Sequence, residues 1–118
     1  MGAADWDATP QRAASAPGGV PKRDIAVGRE GQKLTLGETI VDVVATPGHT
    51  PGTLSYFFPV KDTGRTLIVA YSGGTAFNFP RQAANFAIYR DSQRKMSEVA
   101  EAAGATVLMS NHTEFDRA

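Results

Sequence analysis

The 118-residue chain reads as an α/β (α+β) domain: mostly antiparallel strands, one long helix towards the C-terminus and a final strand. Three observations predict this class. Short alternating or β-branched runs, separated by Gly-containing turns, fill residues 24–72. A single long segment, 82–103, carries apolar residues at three- and four-residue steps. An apolar run, ATVLMS at 105–110, follows it. Strands first, then a helix, then a strand make the mixed class.

The elements follow in order. Residues 1–23 are rich in Ala, Pro and Gly (AASAPGGVPKR) and read as a loop or tether. A short helical piece around 3–8, bearing Trp6, is cut off by Pro10. From Asp24 the pattern changes, and residues 24–118 form the folded unit. Ile25 and Val27 begin the strand pattern, Gly28 and Gly31 turn the chain, and QKLTL alternates again. After Gly37, TIVDVVAT at 39–46 is a β-branched strand that ends before Pro47. TLSYFFPV at 53–60 and TLIVAYS at 66–72 read as a hairpin across a polar, Gly-containing turn. The unbroken LIVAY predicts a strand covered on both faces. SGGTAFNFP at 72–80 is a loop. In the helix, Phe86, Tyr89, Met96, Val99, Ala100 and Ala103 share one face. Arg90, Arg94, Lys95, Glu98 and Glu101 fall largely on the other, which reads as solvated. Gly104 is a natural stop.

Composition removes several functions. Without cysteine, there is no disulfide scaffold, iron–sulfur cluster, thiolate zinc site or cysteine nucleophile. Twelve Lys+Arg against twelve Asp+Glu leave no electrostatic footprint for nucleic acid or an anionic membrane. No apolar run reaches the roughly 18 residues of a spanning helix. MGAADWDATPQ lacks the basic and apolar regions of a signal peptide, and localisation stays open.

The two histidines draw the attention. His49 sits in TPGHTPG after the TIVDVVAT strand, and His112 sits in SNHTEFD after ATVLM. Loops at strand ends carry function disproportionately. Pro47, Gly48, Pro51 and Gly52 frame His49 and can fix an imidazole in one orientation, as a metal ligand requires. The same composition also suits a turn histidine that bonds locally. Two histidines do not close a zinc site, which takes three or four protein ligands. The carboxylates of Asp42, Glu114 and Asp116 have no clear ligand spacing. Ser72 in YSGGT lacks the G-x-S-x-G of a nucleophile elbow, and no Walker lysine follows GGT. Phe77 and Phe79 suit a pocket wall or a core cap.

With these segments in view, the chain resembles the metallo-β-lactamase-fold superfamily. TPGHTPGTLS after TLGETIVDVV is similar to that family's third metal-ligand motif, and VLMSNHTEFD is similar to its final histidine motif. PKRDIAV, YSGGTAFNF and IYRDSQRKMSEVAEAAG resemble the third-subclass-like branch. The likeness covers nearly the whole chain from AADWD onwards. It implies half of an αββα metallo-β-lactamase sandwich, the C-terminal half, with zinc as cofactor. His49 would be the third histidine of the first zinc site, and His112 would help hold the second zinc. Ser72 falls where relatives carry an aspartate or cysteine; a serine there fits the third subclass, in which that position is no ligand. Ser72, Phe77 and Asn111 would contact a small-molecule substrate, with Phe79 beside them. The implied reaction is hydrolysis, a metal-activated hydroxide attacking a β-lactam, ester or thioester. The family's H-x-H-x-D-H is absent from the chain and is expected upstream of ADWD. Alone, this portion is then expected to bind zinc weakly or not at all, to be inactive, and to pair with a complementing N-terminal half. The alternative is a non-catalytic module, a homodimer joined through an exposed apolar sheet face.

Overall fold

A computed structural model describes residues 1–7, 17–77 and 80–111. Its elements are α1 (Ala3–Trp6), β1 (Gln32–Leu36), β2 (Thr39–Ala45), β3 (Leu54–Asp62), β4 (Arg65–Ser72), α2 (Ala83–Ala103) and β5 (Val107–Ser110). The five strands form one sheet in chain order. β1 to β4 are an antiparallel meander, and β5 joins parallel to β4 after the helix. The mixed α+β class is therefore the observed one. Thr63 and Gly64 both take positive φ, 47° and 85°. That geometry matches the twist of the hairpin strands.

Register sorts the side chains onto two faces. Val44 of β2, Phe57 of β3 and Ala70 of β4 share the face that α2 covers with Met96, Val99 and Ala100. Phe57 is 2% exposed. On the opposite face Val43 and Leu54 pack with Val27, flanked by Val41, Ala45 and Tyr56. Leu34 and Leu36 of β1 belong to this second face, since Leu34 pairs with Val41. Met109 of β5 joins it through Tyr71, the partner of Tyr56. Exposure reaches 86% at Leu36 and 46% at Met109. LIVAY behaves as its composition suggests at its centre, where Val69 and Ala70 are buried from opposite sides.

The expected strand at Ile25 and Val27 is not one. Among the described residues this run pairs by a single parallel bridge, Gly2 to Val27. A strand needs a neighbour, and the first residues of the chain supply only one rung. Ala3 N donates to the Val27 carbonyl at 2.8 Å, and Val27 N donates to that of Met1 at 3.1 Å. Trp6 Nε1 donates to the Ile25 carbonyl at 3.5 Å. The start of the expected tether is thus fastened to the run at Ile25 and Val27.

Helix α2 stops where Gly104, at φ 65°, turns left-handed and returns its amide to the carbonyls of Ala100 and Glu101. Its apolar stripe meets the sheet only in its second half. The first half overhangs the loops, and Phe86 stays 49% exposed. No helix among the described residues is long and apolar enough to cross a membrane.

Candidate metal centre

His49 rides on the turn between β2 and β3. Thr46 N donates to the Thr53 carbonyl at 2.9 Å, closing the base of the turn, and Gly48 N donates to that of Thr50 at 3.1 Å. The His49 ring points to the loop after β4, and its Nδ1 lies 2.8 Å from the Ala76 carbonyl oxygen. A carbonyl can only accept, so Nδ1 carries the proton. In the neutral ring the lone pair is then on Nε2. This is how metal-binding imidazoles are commonly oriented. Gly74 lies flat against the ring: a Cβ there would stand 2.5 Å from His49 Cγ.

Three sets of groups hold this turn. From α2, Tyr89, Ser92 and Lys95 come at three-residue steps along one stripe. Lys95 Nζ donates to the Ala45 carbonyl at 3.3 Å, and Ser92 Oγ to that of Pro47 at 2.7 Å. The Tyr89 ring lies against Gly48, where a Cβ would overlap it, and its hydroxyl donates to the Thr75 carbonyl at 2.8 Å. From the N-terminal arm, Asp5 accepts from Thr50 Oγ1 at 2.6 Å and from Gly52 N at 3.0 Å. These are charge-assisted bonds, stronger than neutral ones. From beneath, Ser55 Oγ lies 2.7 Å from Thr46 Oγ1 and accepts from Gly73 N at 3.2 Å. Ser55 is 1% exposed, so it joins the two loops inside the protein. The Thr75 hydroxyl is the one buried side-chain polar atom among the described residues that finds no partner. Such a group costs about 1–3 kcal/mol.

The residues singled out from sequence fall as follows. His49 and the loop after β4 come together. Ser72 ends β4, buried, and pairs in register with Ser110 of β5. Asn111 is the next residue and is exposed. Phe77 turns towards α2, stacked on Phe86 at 4.5 Å and edge-on to Tyr89 at 5.6 Å. Asp42 pairs with Lys33 across β2 and β1, both side chains exposed. His112, Phe79, Glu114 and Asp116 lie outside the described residues. Lys95, read as part of a solvated face, instead reaches back over the β2 end. Asp5 and Ser92 carried no signal, since an acid in an Ala-rich arm and a serine in a polar helix stretch look ordinary. Tyr89 stood on the predicted apolar face, which was the available clue.

Among the described residues no three His, Cys, Asp or Glu side chains come together as a metal-binding group. His49 has a ligand's orientation, but the described donors alone do not complete a zinc site. A groove of about 590 Å³ lies behind the turn, lined by Ala3, Pro47, Pro51, Ile88, Ser92 and Lys95 among others. His49 does not line it.

No protein-family profile matches the chain, and no curated protein matches it. Solved structures do. BJP-1, a subclass B3 metallo-β-lactamase of Bradyrhizobium japonicum, is 26% identical with a TM-score of 0.64 over 92% of this chain and 44% of its own. The Rm3 metallo-β-lactamase is 27% identical, with a TM-score of 0.50 over 80% and 39%. LRA-12, a class B3 di-zinc metallo-β-lactamase from an Alaskan soil metagenome, is 16% identical, a likeness of fold alone. Its TM-score is 0.57 over 98% of this chain and 48% of its own. The chain spans less than half the length of these structures. It therefore carries part of the metallo-β-lactamase fold, in the form that resembles the subclass B3 enzymes.

Proposed function

We propose that this chain supplies the C-terminal portion of a zinc-dependent hydrolase, with His49 and His112 among the metal ligands. The single observation that supports this best is the Nδ1 bond from His49 to the Ala76 carbonyl, which gives Nε2 the lone pair. A zinc ion in a completed site supplies Lewis acidity and a nucleophile at neutral pH. The scissile bond is of β-lactam, ester or thioester type. The protein's own part is to hold the imidazole rigidly and to offer Asn111, beside Ser72, and Phe77 on the substrate side. The remaining ligands come from a complementing H-x-H-x-D-H portion, so the chain by itself is inactive and binds zinc weakly.

The test measures zinc content and turnover of a chromogenic β-lactam, ester and thioester. It uses the chain alone and the chain mixed with a polypeptide carrying the H-x-H-x-D-H portion of a subclass B3 enzyme. The mixture takes up zinc and turns over one of the three, and His49→Ala abolishes both. Tight zinc and turnover by the chain alone overturn the need for a partner. Turnover that survives His49→Ala overturns the ligand assignment.

A second reading rests on the sheet face away from α2. Leu36, Met109 and Leu34 are 86%, 46% and 36% exposed on the face that also carries Val41 and Tyr56, and exposed apolar side chains grouped on one face favour association. In this reading the chain is a non-catalytic module paired with a second copy of itself. Light scattering on a sizing column shows a dimer at micromolar concentration, and Leu36→Lys shifts it towards monomer. A clean monomer for the unaltered chain ends this reading.

A further inference from the structure

We propose that Tyr89 is the positioning residue for His49, gripping both the turn that carries the imidazole and the loop that accepts its proton. The inference rests on the reading of His49 as a ligand through Nε2, but its geometry stands on α2 and the two loops alone. Each half of the Tyr89 side chain has a separate task. The ring lies on Gly48, the residue before His49, where no Cβ fits. The hydroxyl donates to the Thr75 carbonyl at 2.8 Å, and the next carbonyl, that of Ala76, accepts from His49 Nδ1 at 2.8 Å. One rigid aromatic side chain thus spans donor and acceptor of the bond that chooses the tautomer. Movement of either loop relative to the other has to break a contact with Tyr89.

The loop after β4 needs such a hold. The Thr75 hydroxyl is buried without a partner among the described residues, so the loop does not sit where its own polar groups are best satisfied. Phe77 supports the arrangement by meeting the Tyr89 ring edge-on and stacking on Phe86. Ser92 and Lys95, on the same stripe, bond only to the turn side, at Pro47 and Ala45. Tyr89 therefore differs from them: it is the member of the stripe that touches both loops.

The test reads the imidazole directly, by two-bond proton–nitrogen NMR of the metal-free chain above the titration range of histidine. In the unaltered protein His49 shows the Nδ1–H tautomer and a slowly exchanging Nδ1 proton. Tyr89→Phe keeps the ring on Gly48 and removes the bond to Thr75. Its Nδ1 proton exchanges about tenfold faster, the weight of one ordinary hydrogen bond, and the tautomers become mixed. Tyr89→Leu loses both contacts and goes further. Ser92→Ala lowers stability but leaves the His49 tautomer unchanged. Unchanged exchange and tautomer in Tyr89→Phe overturn the proposal, and so does an equal change in Ser92→Ala. A Tyr89 hydroxyl proton in the unaltered chain that shows no proximity to Thr75 overturns it without any variant. Because no zinc or substrate enters this readout, it fails or holds separately from the hydrolase reading.

Discussion

Ser55 offers the sharpest quantitative check on how the two loops are joined. Its hydroxyl is 2.7 Å from that of Thr46 and receives the Gly73 amide at 3.2 Å. Ser55 and Thr46 are 1% and 5% exposed. Ser55→Ala leaves a buried hydroxyl and a half-buried amide without this partner. Each orphan costs about 1–3 kcal/mol when dry. Gly73 can still draw on water, so a total of about 2–3 kcal/mol is expected. Thr46→Val removes the other hydroxyl but leaves Ser55 bonded to Gly73, and costs about 1 kcal/mol. In the double variant the Thr46 orphan no longer exists. Its cost should fall short of the sum by about 1 kcal/mol. Urea denaturation followed by Trp6 fluorescence and circular dichroism measures all four corners. With a slope of about 2 kcal/mol per molar, Ser55→Ala lowers the midpoint by roughly 1 M. Additivity within a few tenths of a kcal/mol, or a Ser55→Ala cost below about 0.5 kcal/mol, would refute the bridging role.

Other outcomes follow from neighbouring geometry. Gly73→Ala would push a Cβ into the Leu54 carbonyl, whereas Gly37→Ala meets nothing within 4 Å and only strains its φ of 60°. Thermal melts should show about 3 kcal/mol for the first and about 1 kcal/mol for the second. Asp5→Ala removes the acceptor of both the Thr50 hydroxyl and the Gly52 amide. About 2 kcal/mol is expected, together with faster hydrogen exchange at Gly52; an unchanged Gly52 rate means the arm is not holding the turn. Burial, and secondarily Tyr71, raises the Tyr56 phenol above its ordinary value of 10.0. The unfolded chain then loses this proton first, so stability is full below pH 10 and falls as pH rises past it. Tyr56→Phe should flatten that limb of the pH–stability curve, and a limb that persists unchanged assigns it elsewhere.

Much of this was legible in the residues. TIVDVVAT became β2, the two runs that follow it became the β3–β4 hairpin, and the helix and its Gly104 stop fell within a residue of expectation. Local periodicity and turn chemistry decide such elements. The Gly/Pro frame marked His49 as a fixed imidazole. Its partner could not be read, because the acceptor is a backbone carbonyl, which any residue at position 76 would supply. The clamp was hidden for a related reason. Asp5 and Thr50 are 45 residues apart, and so are Ser92 and Pro47. A polar side chain that bonds at such range looks in sequence like one facing water. The run at Ile25 and Val27 misled in the opposite direction: its alternation is strand-like, but strand formation was decided by the lack of neighbours.

The meander has a consequence for the order in which the protein assembles. Within β1 to β4 each pairing joins strands that follow one another across a short turn, so these loops close cheaply. The Thr46–Ser55–Gly73 bridge lies wholly within that unit and can form with it. β5 must wait for a connection running from Ser72 to Val107, and the grips of Tyr89, Ser92 and Lys95 arrive only when α2 docks. The imidazole is therefore placed in two kinetic stages, roughly by the hairpins and finally by the helix. Pulse-labelled hydrogen exchange should find the β2–β3 amides protected before those of β5. Simultaneous protection would make the chain a single cooperative folding unit instead.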